Sequence, residues 1–316
     1  MRLRGARMTS IVEVATHLPP RSIPIGPRLT ELGLAGDADL YERFYGFARI
    51  RVEPDRSLAD QMCAAAGKLT ELRGREGDVR YLVHAPTIQL TAPYPDSPLR
   101  AVRRSLGLTH AMQFSLNQHA CASGLLAIDV CGKLLAADHD PDALALILVG
   151  EKTFTRVAQV IAHSAVMGEG MAAVLVRAGG VRDRLLGYAT RTLGEFHQGP
   201  NLPPEMEAKF QGAYAATLVE VILAAVAQAG MSVADVALVL PHNVNRMSWL
   251  RILRQLGLPK TRLLLDNQAE FGHCFGADPF INYQTACERG RLRPGDGYVM
   301  TGAGLGATLA AMVFQH

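Results

Sequence analysis

The chain carries one sequence pattern twice. A short apolar segment that ends in a polar loop occurs at 78–87 and recurs at 235–245. Each copy is followed by an amphipathic segment closed by Leu-Gly-Leu, first at 106–108 and again 150 residues later at 256–258. Self-similarity at a fixed offset is the mark of a duplicated architecture. The repeat therefore predicts two similar halves.

Within each half, apolar segments typical of strands alternate with segments typical of helices. Such alternation indicates an α/β fold in which helices cover the sheets. We divide the chain into halves 1–178 and 179–316. Segment 196–205, which contains Gly-Pro-Asn-Leu-Pro-Pro, is predicted to be a loop that either links the halves or covers a substrate tunnel. The predicted strands are 111–117, 144–149 and 297–301, and the predicted helices are 58–72, 123–137, 207–229 and 279–289.

The composition excludes several classes of protein. A net charge of +3 over 316 residues is too small to favour nucleic acid as a partner. The longest apolar runs are too short to span a bilayer, and no apolar segment follows the basic start as in a signal peptide. Five scattered cysteines without metal-ligand spacing suit free thiols in a reducing compartment. We expect a cytoplasmic protein with no metal site, no membrane and no nucleic-acid partner.

Cys121 is the candidate nucleophile. It stands in Ala-Cys-Ala-Ser-Gly, between a predicted strand and a predicted helix. Free backbone N–H groups and the dipole at a helix N-terminus favour an anion, which raises the thiolate fraction of a cysteine. The small neighbours leave room for a substrate at the sulfur. The alternative is that Cys121 is a small buried hydrophobic residue, as most buried cysteines are.

Polar residues of the second half supply partners for this thiol. His242 and Asn245 follow the second copy of the strand, and His273 lies 152 residues after Cys121 at the equivalent place in the repeat. If the halves pack symmetrically, these loops converge. A thiol beside two imidazoles is a nucleophile with neighbouring bases or hydrogen-bond donors. The glycine segment 302–306 adds backbone N–H groups suited to an oxyanion hole.

These motifs resemble those of a known family. In order and spacing, Ala120-Cys121-Ala-Ser-Gly, His242-Asn-Val-Asn245, Gly272-His-Cys and Gly302-Ala-Gly-Leu-Gly are similar to the active-site motifs of the β-ketoacyl-acyl-carrier-protein synthase III group of the thiolase-like superfamily. The likeness runs from about residue 40 to residue 314. It implies a thiolase-like α/β fold with two pseudo-symmetric halves in αβαβα layers. It also implies a homodimeric acyltransferase that needs no cofactor.

The resemblance implies a role for each residue. Cys121 looks like the nucleophile that takes an acyl group from a CoA or acyl-carrier-protein thioester in a ping-pong reaction. His242 looks like the general base, with Asn245 orienting it or a water. His273 stands where the family usually has an asparagine that bonds the malonyl thioester carbonyl while carbon dioxide leaves, and a neutral imidazole can donate the same bond. The N–H groups of Cys121 and Gly304 would form the oxyanion hole. The expected product is a β-ketoacyl thioester.

Several positions depart from the family pattern. The tryptophan and arginine that clamp the CoA adenine are missing from 40–47, and Met247 stands where an arginine is usual, with Arg246 beside it. These departures favour a carrier-protein or other thioester as the donor and a role in specialised polyketide or fatty-acid-like biosynthesis. Loop 93–95 resembles the segment whose aromatic residue, here Tyr94, reaches into the acyl pocket of the partner subunit.

Two other functions stay open. The first is acyl transfer to an alcohol, amine or thiol without loss of carbon dioxide, in which His242 deprotonates the acceptor and His273 positions it. The second is a non-catalytic subunit of a heterodimer, which the presence of Cys121 disfavours. Asp278 is predicted to begin a helix, with orientation of an imidazole as the alternative. Trp249 is predicted to pack in the core rather than to line a tunnel.

Overall fold

The computed structural model describes residues 8–89, 91–92 and 95–316. The predicted contact of Tyr94 lies outside these residues. The strands are β1 (Thr9–His17), β2 (Arg21–Pro24), β3 (Arg49–Val52), β4 (Val79–Ala85), β5 (Met112–Ser115), β6 (Leu144–Glu151), β7 (Val160–Ile161), β8 (Ala165–Val166), β9 (Gly170–Ala178), β10 (Arg184–Thr192), β11 (Val236–Leu240), β12 (Gly297–Gly304) and β13 (Thr308–Gln315). The helices are α1 (Ile25–Glu31), α2 (Leu58–Ala66), α3 (Pro98–Ser105), α4 (Ser123–Asp138), α5 (Pro204–Gln228), α6 (Arg246–Leu256), α7 (Asp266–Phe271) and α8 (Asp278–Glu288).

The duplication is visible in the strand order. The first half contributes β5-β4-β6-β9-β1, in which β9 is antiparallel to both neighbours and the other pairs are parallel. The second half repeats the arrangement with β11-β12-β13-β10, in which β13 is antiparallel to both neighbours. The two half-sheets meet where Ser10 of β1 pairs with Arg184 of β10. The predicted division between residues 178 and 179 falls between β9 and β10 and stays a proposal.

Helices occupy three layers, one between the half-sheets and one on each outer face. The central layer holds α4 and α8, and α4 packs on strands of both half-sheets. Helices α2 and α3 cover the outer face of the first half-sheet, and α5 and α6 cover that of the second. Because helices cover both faces of β6, all 8 of its residues are buried, which explains its continuous apolar run. The predicted αβαβα layering is confirmed.

Three predicted boundaries are wrong. The strand predicted at 297–301 continues as β12 to Gly304. The helix predicted at 58–72 ends at Ala66, because Gly67 follows and glycine disfavours continuation of a helix. The loop predicted at 196–205 gives way to α5 at Pro204, since the first turn of a helix tolerates proline, whose nitrogen has no hydrogen to donate. Short 3-10 turns interrupt the rest of that segment and the residues before it, at Gly194–Phe196 and Gly199–Asn201.

Two helical segments of the described chain, Ala120–Asp138 and Pro204–Gln228, are long and apolar enough to cross a membrane by length and composition. Of the window tested, 56% is buried in the first and 44% in the second. Core helices of globular proteins pass the same test, and α4 belongs to the layer between the half-sheets. These segments are therefore weak evidence for a membrane.

Candidate active site

Cys121 lies on a tight turn between β5 and α4. The residue before it, Ala120, has a φ of +45°, a left-handed conformation that is strained for a residue with a side chain. The His119 N–H donates to Ser123 Oγ at 3.2 Å, which ties the turn to the start of α4. The end of β12 approaches so closely that a Cβ on Gly304 would lie 2.0 Å from the carbonyl oxygen of His119. Only glycine at position 304 permits this approach.

The Cys121 thiol has two polar neighbours. Its Sγ accepts a hydrogen bond from Thr87 Oγ1 at 3.5 Å, and it lies close enough to the imidazole of His273 to raise the pKa of that imidazole. The N–H of Thr87 donates to Glu151 Oε1 at 2.7 Å, which anchors the loop after β4 to the end of β6. Cys121 is 6% exposed. The sulfur is therefore held within the core and reached only from a cavity.

His273 is positioned by the first half of the molecule. Its N–H donates to the carbonyl of Val166, and its own carbonyl accepts from the N–H of Gly168, each at 3.0 Å. Its Nδ1 is hydrogen-bonded to Asp278 Oδ2, which leaves Nε2 for Cys121. Burial by itself would lower the pKa of His273, but the charge and hydrogen bond of Asp278, and then the nearby Cys121, raise that pKa above its ordinary value. The imidazole is therefore a strengthened base.

Asp278 combines the two roles that the sequence left open. It is the first residue of α8, it is fully buried, and it holds the His273 imidazole. Its Oδ2 also accepts from the N–H of Asn243 at 2.6 Å, and its Oδ1 accepts from the N–H of Cys274 at 2.7 Å. Such bonds and a helix N-terminus stabilise a carboxylate. The signal in the sequence is an aspartate five residues after His273 at a helix start.

His242 follows β11 and is 1% exposed. Its Nδ1 lies 3.3 Å from Thr301 Oγ1, and its Nε2 is hydrogen-bonded to the Tyr214 hydroxyl at 2.5 Å. Trp249 is fully buried and donates its indole N–H to the carbonyl of His242 at 3.0 Å, so its predicted packing role is confirmed. Burial, and then the nearby charge of His273, lower the pKa of His242. This imidazole is held neutral.

Asn245 has hydrogen bonds that its predicted role beside His242 did not include. Its Oδ1 accepts from the N–H of Ser248 at 2.8 Å, which caps α6, and its Nδ2 donates to the carbonyl of His163 at 3.2 Å. Asparagine is favoured at this position because its side-chain oxygen satisfies a free N–H of the first helical turn. Asn245 therefore joins α6 to the segment around His163.

A cavity of about 490 Å³ joins the candidate residues. Cys121, His242, His273 and Gly304 all line it, so loops of both halves meet there. The wall is mainly apolar. Its apolar and aromatic lining is Leu34, Tyr41, Val160, Ile161, Leu202, Phe210, Tyr214, Val244 and Leu305.

The segment between β10 and α5 forms part of the cavity wall. Gly199, Pro200 and Leu202 line the cavity, so the interpretation as a cover is supported over that of a simple linker. Pro200 is exposed, as are the lining residues Arg156 and His163. These exposed residues mark the opening of the cavity to solvent.

Tyr214 is the site residue that sequence reasoning missed. It lies in the middle of α5, 28 residues before its partner His242. The apolar pattern of that helix indicates only that this face is buried. No pattern in the sequence tells a tyrosine that binds an imidazole from one that packs in the core.

The cysteines other than Cys121 lie away from this cavity, and all five in the chain are free thiols. In the part of the chain that the structure describes, no group of three His, Cys, Asp or Glu side chains is arranged to hold a metal ion.

Several known proteins are similar to this chain in sequence. A family model described as 3-oxoacyl-[acyl-carrier-protein (ACP)] synthase III C terminal matches residues 226–316. A β-ketoacyl-[acyl-carrier-protein] synthase III of Lactobacillus delbrueckii subsp. bulgaricus is 26% identical over 289 residues, which cover 85% of this chain and 88% of that protein. A protein of the same name from Sphingopyxis alaskensis is 25% identical over 312 residues, which cover 94% and 95%. These similarities confirm the predicted resemblance to the β-ketoacyl-acyl-carrier-protein synthase III-like family.

Solved structures of synthase III-like proteins have the same fold as this chain. ChlB3, described as an acyltransferase, has a TM-score of 0.85 at 21% identity and covers 98% of this chain and 97% of its own. The 3-oxoacyl-[acyl-carrier-protein] synthase III of Aquifex aeolicus has a TM-score of 0.81 at 20% identity and covers 98% and 100%. The predicted thiolase-like fold is confirmed. The synthase III-like family is a family of acyltransferases, so the prediction of an acyltransferase enzyme is confirmed as well.

The departures from the synthase III-like pattern lie beside the cavity. The segment that lacks the tryptophan is a π-helix, Leu40–Tyr45, and its Tyr41 lines the cavity. The Tyr41 hydroxyl donates to the carbonyl of Ile161 at 3.4 Å. Arg246 donates to the carbonyl of Phe44 at 3.2 Å, so its side chain holds the π-helix in place. This segment is built into the cavity wall.

Proposed function

We propose that this enzyme transfers an acyl group from a thioester, through Cys121, to a hydroxyl, amine or thiol acceptor. One observation carries the proposal: His273 lines the same cavity as Cys121, close enough for the thiol to raise its pKa, and its Nδ1 is hydrogen-bonded to the buried carboxylate of Asp278. This arrangement of nucleophile, base and orienting carboxylate is the one that recurs in enzymes of acyl transfer. A general base in this position can remove a proton from a heteroatom acceptor.

In the first half-reaction, the thiol proton passes from Cys121 to His273 Nε2 and the sulfur attacks the thioester carbonyl. The charge that develops on the carbonyl oxygen is stabilised by the N–H groups of Cys121 and Gly304. The carbon–sulfur bond of the donor breaks, and the departing thiolate takes the proton from His273. Asp278 stabilises the imidazolium while it exists.

In the second half-reaction, the acceptor gives its proton to His273 and attacks the carbonyl of the acyl-enzyme. The bond between the acyl carbon and Cys121 Sγ breaks, and the thiolate recovers the proton from the imidazolium. No external oxidant, reductant or metal enters this balance. The base is His273, and His242, which the sequence favoured for this role, has its Nε2 engaged by Tyr214.

The donor is a CoA or acyl-carrier-protein thioester. Carrier protein is favoured because the family's CoA clamp is replaced by Tyr41 and its neighbours, which contribute to the cavity wall. A specialised biosynthetic pathway, of the polyketide or fatty-acid-like kind, follows from the same departures. We also propose a cytoplasmic homodimer, because the resemblance in the motifs implies one.

Decarboxylative condensation to a β-ketoacyl product is the second candidate. It is favoured by the two buried imidazoles, His242 and His273, that line one cavity with Cys121. In that reaction the extender loses carbon dioxide to give its own carbon nucleophile, so no base is needed to deprotonate it. Release of carbon dioxide therefore separates the two candidates.

The nucleophile is tested by intact mass. The purified protein is mixed with a panel of acyl-CoA and acyl-carrier-protein thioesters, beside Cys121→Ala and the matched control Cys63→Ala, whose thiol lies outside the cavity. We expect an acyl mass gain in the wild-type protein and the control and none in Cys121→Ala. Absence of a gain with every donor would favour the non-catalytic subunit of a heterodimer.

The acceptor is tested with the donor found in this way. The acyl-enzyme is challenged in turn with a malonyl thioester and with panels of alcohols, amines and thiols. We expect loss of the acyl group to a heteroatom acceptor and no carbon dioxide from the malonyl thioester. Release of carbon dioxide with formation of a β-ketoacyl thioester would overturn the proposal in favour of condensation.

A further inference from the structure

We propose that Tyr214 is the residue that determines which chemistry this site performs, because its hydroxyl occupies His242 Nε2 and removes that nitrogen as a hydrogen-bond donor to the substrate. The inference rests on the proposed function and deepens it. Tyr214 is a specificity-determining residue that acts through His242. In the proposed reaction the base is His273, whose imidazole remains available to Cys121.

Both nitrogens of His242 have partners within the chain. The Tyr214 hydroxyl lies 2.5 Å from Nε2, and Thr301 lies at Nδ1, with its hydroxyl oxygen 3.3 Å away. A neutral imidazole carries a single N–H. We assign this N–H to Nδ1, which faces Thr301. Nε2 is then the acceptor, and Tyr214 is its donor.

The neutral state of His242 is enforced by its surroundings. The residue is 1% exposed, and the positive charge that His273 carries once it holds the Cys121 proton opposes a second charge nearby. A protonated His242 would have an N–H at Nε2, but burial and this charge disfavour it. With Tyr214 in place, His242 therefore presents no N–H to the cavity.

This assignment separates the two candidate reactions. Decarboxylation of a malonyl thioester breaks the bond to the carboxylate carbon, and the electron pair moves onto the thioester oxygen as an enolate. That oxygen needs hydrogen-bond donors. Transfer of an acyl group to a heteroatom needs one strong base and the oxyanion hole instead. The Tyr214 hydroxyl withholds a donor from the first reaction and leaves the second intact.

Phenylalanine at this position removes the hydroxyl and keeps the packing. The ring of Tyr214 stands edge-on to Phe210, with centroids 6.0 Å apart, and to His242, with centroids 6.1 Å apart. In Tyr214→Phe the imidazole can place its proton on Nε2, because the hydroxyl of Thr301 can donate to Nδ1 in turn. His242 then offers an N–H to the cavity.

The test compares the wild-type protein with Tyr214→Phe. The matched control is Tyr188→Phe on β10, whose buried hydroxyl has no hydrogen-bond partner among the described residues. Long-range ¹H–¹⁵N spectra of histidine-labelled protein report the tautomer of His242, whose signals are assigned by their loss in His242→Gln. Malonyl-N-acetylcysteamine labelled with ¹³C at the carboxylate reports decarboxylation, in which ¹³CO₂ leaves and water protonates the enolate.

We expect the proton of His242 on Nδ1 in the wild-type protein and the control, and on Nε2 in Tyr214→Phe. Release of ¹³CO₂ is expected to rise by about tenfold in Tyr214→Phe, the effect of one gained hydrogen bond on the enolate. An unchanged His242 signal, or an unchanged rate of ¹³CO₂ release, overturns the role of Tyr214 and leaves the proposed function standing. Rapid ¹³CO₂ release by the wild-type protein overturns the proposed function as well.

Discussion

At the scale of single residues, the candidate site depends on one buried carboxylate. Asp278 holds the imidazole of His273 and accepts hydrogen bonds from two backbone N–H groups, so its charge is stabilised in the core. The charge in turn raises the pKa of His273 against the effect of burial. The strength of the base is therefore set by a residue that does not touch the substrate.

Asp278→Asn keeps the shape of the side chain and removes its charge. We expect acyl transfer from Cys121 to fall by about 10²–10⁴-fold, the usual contribution of general base catalysis, because the imidazolium loses its partner. The rate of deacylation is measured by quenched intact mass, and thermal unfolding checks the fold. The matched control is Asp266→Asn, which also removes an aspartate at a helix start but one on the surface. Transfer at the wild-type rate in Asp278→Asn would contradict the role of the carboxylate.

The sequence predicted which candidate residues meet in one cavity better than it predicted their hydrogen-bond partners. Cys121, His242 and His273 stand in motifs with a fixed spacing, and the structure brings all three to one cavity. Tyr214 could not be predicted, because a buried face of a helix looks the same whether its tyrosine packs or donates a hydrogen bond. The capping role of Asn245 was not predicted, since the capping of the next helix uses the same residue type as a hydrogen bond to His242, and its role beside His242 stays a prediction.

At the scale of elements, the site is held where the ends of strands and helices meet. The end of β12 touches the turn before α4, and the start of α6 is tied to the segment that follows β7. The sequence predicted these elements to within a few residues, because their hydrophobic periodicity is strong. It did not predict where α2 ends or α5 begins, since single glycine and proline residues decide those points.

Gly304→Ala tests the contact between β12 and the turn between β5 and α4 that carries Cys121. The new Cβ would lie 2.0 Å from the carbonyl oxygen of His119, so strand and turn must separate. We expect the free energy of unfolding to fall by about 1–3 kcal/mol, as for other overpacked sites, and acylation of Cys121 to be lost or strongly slowed. Gly212→Ala is the control, because no atom lies within 4 Å of a Cβ there. Normal acylation in Gly304→Ala would show that the close approach is not needed.

Asn245→Ala tests the hydrogen bonds by which Asn245 caps α6. The sequence had predicted that Asn245 orients His242 or a water. Loss of the bonds to Ser248 and His163 is expected to lower the free energy of unfolding by about 1 kcal/mol, a typical value for an N-cap. Because the cap joins α6 to the cavity wall, the KM for the donor is expected to change more than kcat. Asn245→Asp, which can still accept the Ser248 N–H, is the conservative comparison. A large loss of kcat with unchanged stability would support the role beside His242.

At the scale of the whole molecule, the two halves contribute different chemistry to one cavity. The first half supplies the candidate nucleophile Cys121, and the second supplies the imidazoles of His242 and His273. The backbone of His273 is nevertheless fixed by Val166 and Gly168 of the first half, so the base is correctly placed only when the halves pack together. The duplication in the sequence predicted the paired half-sheets. It did not predict that the two halves contribute different side chains, because that difference depends on contacts between the halves.

A buried carboxyl group at the end of β6 links the stability of the molecule to pH. Glu151 is fully buried, and its Oε1 accepts from the N–H groups of Thr87 and Ile88. Burial raises its pKa from 4.5 to about 8, although these two hydrogen bonds act to lower it. Its Oε2 has no partner among the described residues, which fits a protonated acid.

Between pH 4.5 and about 8, the folded protein keeps the Glu151 proton and the unfolded chain has lost it. Folding therefore gains most from this group below about pH 4.5, and its contribution declines by about 1.4 kcal/mol for each pH unit until it is lost near pH 8. In Glu151→Gln, which keeps the acceptor oxygen but cannot ionise, we expect this slope to vanish from urea unfolding measured across the range. Glu169→Gln is the control, because hydrogen bonds and Lys152 outweigh burial and lower the pKa of Glu169, which places its titration below this window. Parallel pH profiles for the wild-type protein and Glu151→Gln would show that Glu151 is ionised in the fold and that the loop bearing Thr87 is held by a charge.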